Sequence, residues 1–306
     1  GTSPVVGYET LSAQPGIFNL LGLRLFSSPV VADAFETISG TTLTDSDVDF
    51  SSILSGSTSY VIELEGGLNE GELLEVVTFA GNTLTVAASL VADTNVSYTV
   101  RPVARLKEII DPDVLPDFVQ VADFNPDNGD LVLIPSGGGE FDRYYYSSYP
   151  GQEGYFNAAT GIPENPLLTY TDAFFLLRRG STELSLVTSG DLKTSNTLLS
   201  VADTFNYFSS IYPVGETLGV SNLETSLQWG TEASADLIWV QDSLTGDFDQ
   251  YFYSDGTPPL GVGWRKVGDG DTDQESASLS SGFAIHRRAP APYEVLLTPP
   301  PFYSGL

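Results

Sequence analysis

The residues best suited to binding chemistry are four carboxylates in one short segment. They alternate with small or polar residues, an arrangement in which a loop collects oxygen ligands for Ca²⁺. An EF-hand loop needs glycine at its sixth position and glutamate at its twelfth, where this chain has Gln274 and Ser280. The alternatives are a Ca²⁺ site outside the EF-hand pattern or a solvated acidic turn, and no other cofactor is indicated. The four residues are Asp269, Asp271, Asp273 and Glu275; weaker examples are Asp45, Asp47 and Asp49, and the stretch 123–130.

No group of residues stands out as a catalytic site. The single histidine, His286, follows the apolar run 283–285, and no Gly-x-Ser-x-Gly motif offers a serine nucleophile for a hydrolase triad. A glycosidase needs two carboxylates facing each other across a cleft, and the 40 acidic residues give no basis for choosing a pair. We therefore expect a structural histidine and a protein that is not an enzyme.

Two aromatic runs could provide stacking platforms for sugars. They cover residues 144–146, with Tyr149 and Tyr155 nearby, and residues 251–253. Successive side chains of a strand point to opposite faces, so Tyr145 must point away from Tyr144 and Tyr146. Core packing explains most of these rings, and binding of surface glycans is the alternative.

Composition indicates a folded protein made of short strands. The 306 residues are 41% apolar, and 30 glycines and 19 prolines lie mostly between short apolar runs. The net charge of -28 disfavours binding to nucleic acid or to anionic lipid surfaces. No run approaches the roughly 20 apolar residues that cross a bilayer, so membrane insertion is not expected.

The chain contains neither cysteine nor methionine. Because it starts with Gly1 rather than an initiator methionine, we expect that a signal peptide has been removed; tag removal is the alternative. A chain without oxidisable sulfur also suits an oxidising environment. The sequence thus predicts an extracellular or cell-surface protein.

An internal duplication organises the sequence. Thr10-Leu11 with Phe18-Asn19 recurs as Thr197-Leu198 with Phe205-Asn206. The stretch 130–146, with its Phe-Asp-x-Tyr-x-Tyr motif, recurs as 236–253, and each copy ends in an apolar run with paired arginines. Two copies of one β module are expected, since repeated sequence signals repeated structure.

A separate unit interrupts the first copy. No lysine or arginine occurs between Arg24 and Arg101, although acidic residues continue. Within this unit, residues 60–65 alternate so that one face should point inward and a largely acidic face, including Glu63, toward water. The prediction is an all-β fold with two duplicated antiparallel β-sandwich-like modules and a small β-barrel-like insertion in the first. Its units are 1–29 and 104–190 for the first module, 30–103 for the insertion, and 191–306 for the second module with an extended tail.

Several turns and aromatic residues carry a resemblance to a known group of proteins. They are the opening segment 3–8, Phe18-Asn19-Leu20, the segment 209–213, and 264–268 leading to Arg287-Arg288. In these features the chain resembles an exported β-rich protein family of Verrucomicrobia-type bacteria, which often occurs as many paralogues. The family has no assigned biochemical role, so the resemblance implies an exported β fold and no activity.

We expect contacts between copies of this chain. The paired arginines are scarce positive charges that either bind carboxylates of a neighbouring subunit or form salt bridges within the chain. A terminal strand could also pair with an open sheet edge of the next subunit. The expected contact residues are Val5, Val6, Tyr8, Leu11, Arg178, Arg179, Arg287, Arg288, Val295 and Leu297.

The sequence therefore favours a secreted structural protein that assembles with itself into a filament, sheath or surface array. A head-to-tail contact that does not close on itself produces such an assembly. The alternative is a monomeric carbohydrate-binding or adhesive protein of the cell surface.

Overall fold

The chain folds into short antiparallel strands joined by tight turns. The computed structural model describes residues 6–202, 204–289 and 291–305. Strands contain 47% of the residues and helices 7%. This confirms the predicted all-β class.

The first part of the chain contains thirteen strands among its described residues. It begins with β1 (Val6–Ala13) and β2 (Phe18–Gly22). The strands that follow are β3 (Val31–Phe35), β4 (Thr37–Thr44), β5 (Tyr60–Leu64), β6 (Leu73–Ala80), β7 (Thr83–Asp93) and β8 (Val96–Pro102), with helix α1 (Phe50–Ile53) after β4 and a 3-10 turn (Gly67–Asn69) after β5. Helix α2 (Leu106–Ile109) and a 3-10 turn (Pro126–Asn128) lead to β9 (Leu131–Gly137), β10 (Glu140–Ser147), β11 (Gly154–Asn157), β12 (Ala173–Leu177) and β13 (Leu184–Asp191).

The second part contains seven strands and no α-helix within the described residues. They are β14 (Thr197–Val201), β15 (Thr204–Ser209), β16 (Leu237–Gln241), β17 (Phe248–Asp255), β18 (Val262–Lys266), β19 (Gly282–Arg287) and β20 (Tyr293–Leu297). Two 3-10 turns (Leu223–Thr225 and Pro301–Gly305) complete this part.

The duplication read from the sequence is a duplication of topology. One five-stranded sheet has the order β11-β10-β9-β12-β2, and the other has β18-β17-β16-β19-β15. Each is accompanied by a two-stranded sheet, β1 with β13 and β14 with β20. We call the strands β1, β2 and β9–β13 module one, and β14–β20 module two.

The strands between β2 and β9 form a sheet of their own, which we call the inserted domain. Its order is β3-β8-β5-β6-β7-β4, and it curls into a half-barrel. The aromatic rings of Phe35, Phe50 and Tyr98 fill its interior, with the Phe35 and Tyr98 rings stacked 3.8 Å apart. These apolar side chains fill the space that the curled six-stranded sheet encloses.

The expectation of a water-facing acidic side on β5 is wrong. All five residues of β5 are buried, including Glu63. The second face packs against the rest of the molecule instead of water, and Glu63 is neutralised there by Arg101 and Lys193. A buried carboxylate is tolerated only with such partners.

Two other local expectations also change. Strand β11 was not predicted, although its Tyr155 and Phe156 are buried. The tail is not an extended surface segment, because Pro301–Gly305 forms a 3-10 turn. Tyr303 in this turn is buried and contacts the Tyr212 ring edge to face.

The two modules share one continuous core. Inner-facing residues of both five-stranded and both two-stranded sheets belong to the same buried cluster. The two modules approach each other closely at Gly22 of module one, where a Cβ atom would lie 2.1 Å from the carbonyl oxygen of Ser281 in module two. No helix in the described ranges is long and apolar enough to span a membrane.

Candidate functional site

The two-stranded sheet of β1 and β13 exposes apolar side chains on one face. Alternation puts Leu11, Ala13 and their neighbours on β13 into the core. The opposite face presents Val6, Tyr8 and Val187, which are 57%, 81% and 69% exposed. The register pairs Tyr8 with Ser189 and Thr10 with Val187, so these apolar side chains are near neighbours. We call Val6, Tyr8 and Val187 the exposed face.

The structure separates the predicted strand contacts into two groups. Val6 and Tyr8 lie on the exposed face, whereas Leu11, Val295 and Leu297 point into the protein core and are not available as surface side chains. Val5 lies outside the described residues. The expectation missed Val187, although the alternation of Leu184 and Leu186 with Ser185 and Val187 contains its signal.

The first arginine of each pair binds a carboxylate of its own module. Arg178, 1% exposed, donates from Nη1 to Asp130 Oδ2 at 2.7 Å. The Asp130 carboxylate also accepts the backbone N–H groups of Arg179 and Val119, at 2.6 and 2.9 Å. Of the two alternatives for Arg178, the structure shows the salt bridge within the chain, because no neighbour could reach so buried a guanidinium.

Module two repeats this arrangement atom for atom. Arg287 Nη1 contacts Asp236 Oδ2, and that carboxylate accepts the backbone N–H groups of Arg288 and Gln228. Arg288 also donates to the Glu232 carbonyl. In module one the outer arginine is Arg179, which is partly exposed and 3.6 Å from Asp127. The inner arginines are thus structural, and the outer ones remain at the surface.

The structure does not bring the four predicted Ca²⁺ ligands together, and three of the four carboxylates bind neighbouring groups. Asp271 Oδ1 accepts hydrogen bonds from Gly261 N and Arg265 Nε, both at 2.7 Å. These bonds, the backbone one foremost, lower the pKa of Asp271. Asp273 accepts from the Glu275 N–H, and Asp269 from the Gln274 side chain. The segment is therefore a hydrogen-bonded acidic turn.

A different acidic group does converge. Within the described ranges, Glu36, Asp45 and Asp47 place carboxylate oxygens within 4.8 Å of one another. Asp45 is buried and accepts from the Tyr98 hydroxyl at 2.7 Å and from the Asp47 N–H at 3.0 Å. Glu36 accepts both the N–H and the hydroxyl of Ser46. These bonds account for the cluster as a turn of the inserted domain.

His286 is part of a group of stacked aromatic rings. Its ring stacks on Phe205, with centroids 4.3 Å apart and 4° between the planes. Burial lowers its pKa, and the positive charge of Arg288 adds to the effect. Trp239 packs edge-on against both rings. A neutral, stacked imidazole fits the expected structural role.

This group of aromatic rings spans both five-stranded sheets. The half-buried rings of Phe141 and Tyr207 lie 5.0 Å apart and join rings of module one to those of module two. We call the set Phe141, Phe205, Tyr207, Trp239, Phe248 and His286 the aromatic surface. The rings of the 144–146 run are buried as core packing predicts, with Tyr145 facing away from Tyr144 and Tyr146.

A buried charged network joins the inserted domain to module one. Glu63 is contacted by Arg101 Nε at 3.3 Å, Lys193 Nζ at 3.4 Å and the Tyr170 hydroxyl. Arg101 also lies 3.6 Å from Asp191, at the end of β13. Although burial opposes ionisation, the charges of Lys193 and Arg101 hold the pKa of Glu63 below its usual value. The network fixes the inserted domain beside the first two-stranded sheet.

A second buried carboxylate lies where module one meets the tail. Glu216 is 4% exposed, and neither of its oxygens has a hydrogen-bond partner within the described ranges. Burial raises its pKa to about 8, and nearby Arg24 reduces the effect. Burial lowers the pKa of Arg24 to about 10, and Tyr303 and Glu216 act against it. Glu216 is thus largely protonated at neutral pH.

Comparison with known proteins gives no relative from which a role could be transferred. Scans against protein-family models, curated proteins and solved structures returned no match to this chain. Membership of the exported bacterial family therefore stays a prediction, and function must be argued from the residues.

Proposed function

We propose that this chain is a secreted, non-enzymatic structural protein whose copies assemble into an extracellular filament, sheath or surface array. The observation that carries the proposal is the exposed face of the first two-stranded sheet. Val6, Tyr8 and Val187 form an apolar group on a small open sheet, the kind of surface that proteins normally cover. Covering it with another copy removes this apolar area from water.

The charge of the chain sets the conditions for assembly. Copies carrying -28 repel one another, and the screening length falls to about 8 Å at physiological ionic strength. Assembly should therefore strengthen with salt or with divalent cations that neutralise surface carboxylates. A chain without cysteine or methionine suits a location outside the cell, where oxidants are common.

The test is negative-stain electron microscopy with light scattering at low and high ionic strength. We expect fibres that lengthen with salt in the wild type and are lost in the double variant Val6→Ser and Tyr8→Ser. The control is Val77→Ser, an exposed apolar residue of β6 in the inserted domain, which should leave fibre length unchanged. Single particles at every concentration and ionic strength in the wild type would refute the proposal.

The aromatic surface favours a second candidate function, a monomeric adhesive protein that binds carbohydrate. Sugars stack on aromatic faces, and here half-buried rings from two sheets lie side by side. A glycan array separates the two candidates: binding that is lost in Trp239→Ala, in a protein that forms no fibres, would favour adhesion.

A further inference from the structure

In the two-stranded sheet of module two, each edge is hydrogen-bonded to another part of the chain at one position. On the β14 edge, the Leu198 N–H donates to the carbonyl of Gly71, in the inserted domain, at 2.8 Å. On the β20 edge, the carbonyl of Leu296 accepts from Asn222 Nδ2 at 3.2 Å. Asn222 caps the 3-10 turn that stands against β20. Module two thus shows which contacts cover the edges of a two-stranded sheet in this fold.

The corresponding edge in module one is hydrogen-bonded at Asp191, and it is open along the rest of β13 in the described part of the chain. Asp191 exchanges both backbone hydrogen bonds with Phe26, at 2.8 and 3.2 Å, so its N–H and C=O point away from β1. Because these directions alternate along a strand, Ser185, Val187 and Ser189 also point their backbone groups away from β1. Within the described ranges, no backbone or side-chain group hydrogen-bonds to these three outward backbone positions.

A groove of about 250 Å³ runs beside this open edge. One wall is β13 and the other is the segment that leads into α2, with apolar side chains between them. Thr188 lines the groove, and its hydroxyl is buried without a hydrogen-bond partner in the described part of the chain. Further lining residues are Phe26, Val103, Ala104, Ile109 and Leu168. An extended peptide needs this combination of a free strand edge and adjacent apolar pockets.

We propose that this groove binds the segment preceding β1 of a second copy, residues 1–5, as an added strand on β13. The inference rests on the proposed function and names its acceptor site. Residues 1–5 have no acidic side chain, so their side chains meet no repulsion from a partner of charge -28. The segment 298–306 also has no charged side chain, but it is engaged in its own chain, where Tyr303 is buried.

The donor sequence fits the hydrogen-bonding pattern of an edge strand. Pro4 has no N–H and is tolerated where that position faces away from the partner. The alternate residues Ser3 and Val5 then direct their backbone groups toward β13. The contact joins different surfaces of two copies, so it can propagate along a fibre.

The test is binding of a fluorescein-labelled peptide of residues 1–8 to the full chain, followed by fluorescence anisotropy. Val187→Pro removes an outward N–H and leaves the β1 ladder intact, so we expect at least tenfold weaker peptide binding and shorter fibres. Val187→Thr keeps the N–H and the branched side chain, and should bind within twofold of the wild type. Thermal unfolding shows whether each variant is folded.

A second variant keeps the test decisive if Val187→Pro is unstable. Ala104→Arg fills the groove from the opposite wall, and should also abolish peptide binding. Wild-type affinity in a folded Val187→Pro or Ala104→Arg protein would overturn the groove inference. If those variants still form fibres while Val6→Ser with Tyr8→Ser does not, the inference fails and the proposed function stands. If the wild type forms no fibres, the proposed function fails.

Discussion

Asp130 and Asp236 each tie three segments of their module to one carboxylate. Asp130 binds the Arg178 guanidinium and two backbone N–H groups, and Asp236 repeats this pattern. Asn19 and Asn206 are also repeated, each bridging the turn between the first two strands of its module. These repeated side chains therefore bind backbone groups within their own module.

We expect Asp130→Asn to destabilise the protein strongly. The change leaves the Arg178 guanidinium buried without a countercharge, which costs about 3–5 kcal/mol in the free energy of unfolding. The control is Asp127→Asn, since the Asp127 side chain is 81% exposed and its pair with Arg179 is loose. Urea unfolding followed by tryptophan fluorescence measures both; similar losses in the two variants would contradict this role for Asp130.

Sequence reading found these residues but could not assign their partners. The paired arginines were visible as scarce positive charges, and both intersubunit and internal pairing were consistent with the sequence. The fold shows that the pairing is internal. Asp130 and Arg178 are 48 residues apart in the sequence, and the pairing of β9 with β12 brings them together. In the acidic segment 269–275, the sequence likewise does not show that Arg265 on β18 binds the Asp271 carboxylate.

At the scale of elements, the turn between β5 and β6 connects the inserted domain to module two. Gly71 has a left-handed backbone, with φ of +84°, and its carbonyl accepts the Leu198 N–H. A Cβ atom at Gly71 would lie 2.7 Å from Leu198 N and 2.9 Å from Leu296 Cδ1. Only glycine lets this turn reach the β14 edge.

We expect Gly71→Ala to lower the melting temperature well beyond Gly81→Ala. Both glycines have positive φ, so each alanine costs about 1–2 kcal/mol in backbone strain. Gly81 has open space around its Cβ position, whereas Gly71 adds a clash with backbone of module two. Calorimetry compares the two variants, and limited proteolysis reports whether the inserted domain has come loose. Equal shifts would mean that this contact contributes little.

Most strands were predictable because hydrophobic alternation and turn residues are local signals. The exceptions depend on tertiary contacts. Glu63 follows an outward-facing pattern, yet lies inside because Arg101 and Lys193 meet it from distant parts of the chain. Tyr303 follows three prolines that suggest an extended surface tail, yet it packs on Tyr212. The open edge of β13 could not be predicted from the sequence, since it depends on which strands pair with β13 in the folded protein.

At the scale of the whole molecule, Glu216 links stability to pH. Its pKa of about 8 in the folded protein exceeds the value of roughly 4.3 expected on unfolding. The folded state therefore holds an extra proton between these values, and its stability falls as pH rises through that window. Arg24 and the tail residue Tyr303 face this carboxyl group, with Tyr212 also near.

We expect Glu216→Gln to flatten this pH dependence. The amide resembles the protonated acid, so the variant loses a slope of up to about 1.4 kcal/mol per pH unit between pH 5 and pH 8. It should be more stable than the wild type at pH 8 and similar at pH 5. Urea unfolding across that range, with exposed Glu140→Gln as the control, provides the measurement. A wild-type slope retained in Glu216→Gln would show that other groups cause it.

The inserted domain also divides module one along the chain. Strand β1 pairs with β13, so residues 6–13 can form this pairing only after residues 184–191 have been synthesised. During synthesis the inserted domain, which is contiguous from Val31 to Pro102, is complete long before that pairing is possible. Module one closes late, and a newly made chain carries an unpaired β1 until then. Nascent chains held at high local density are therefore exposed to premature exchange of β1 between neighbours.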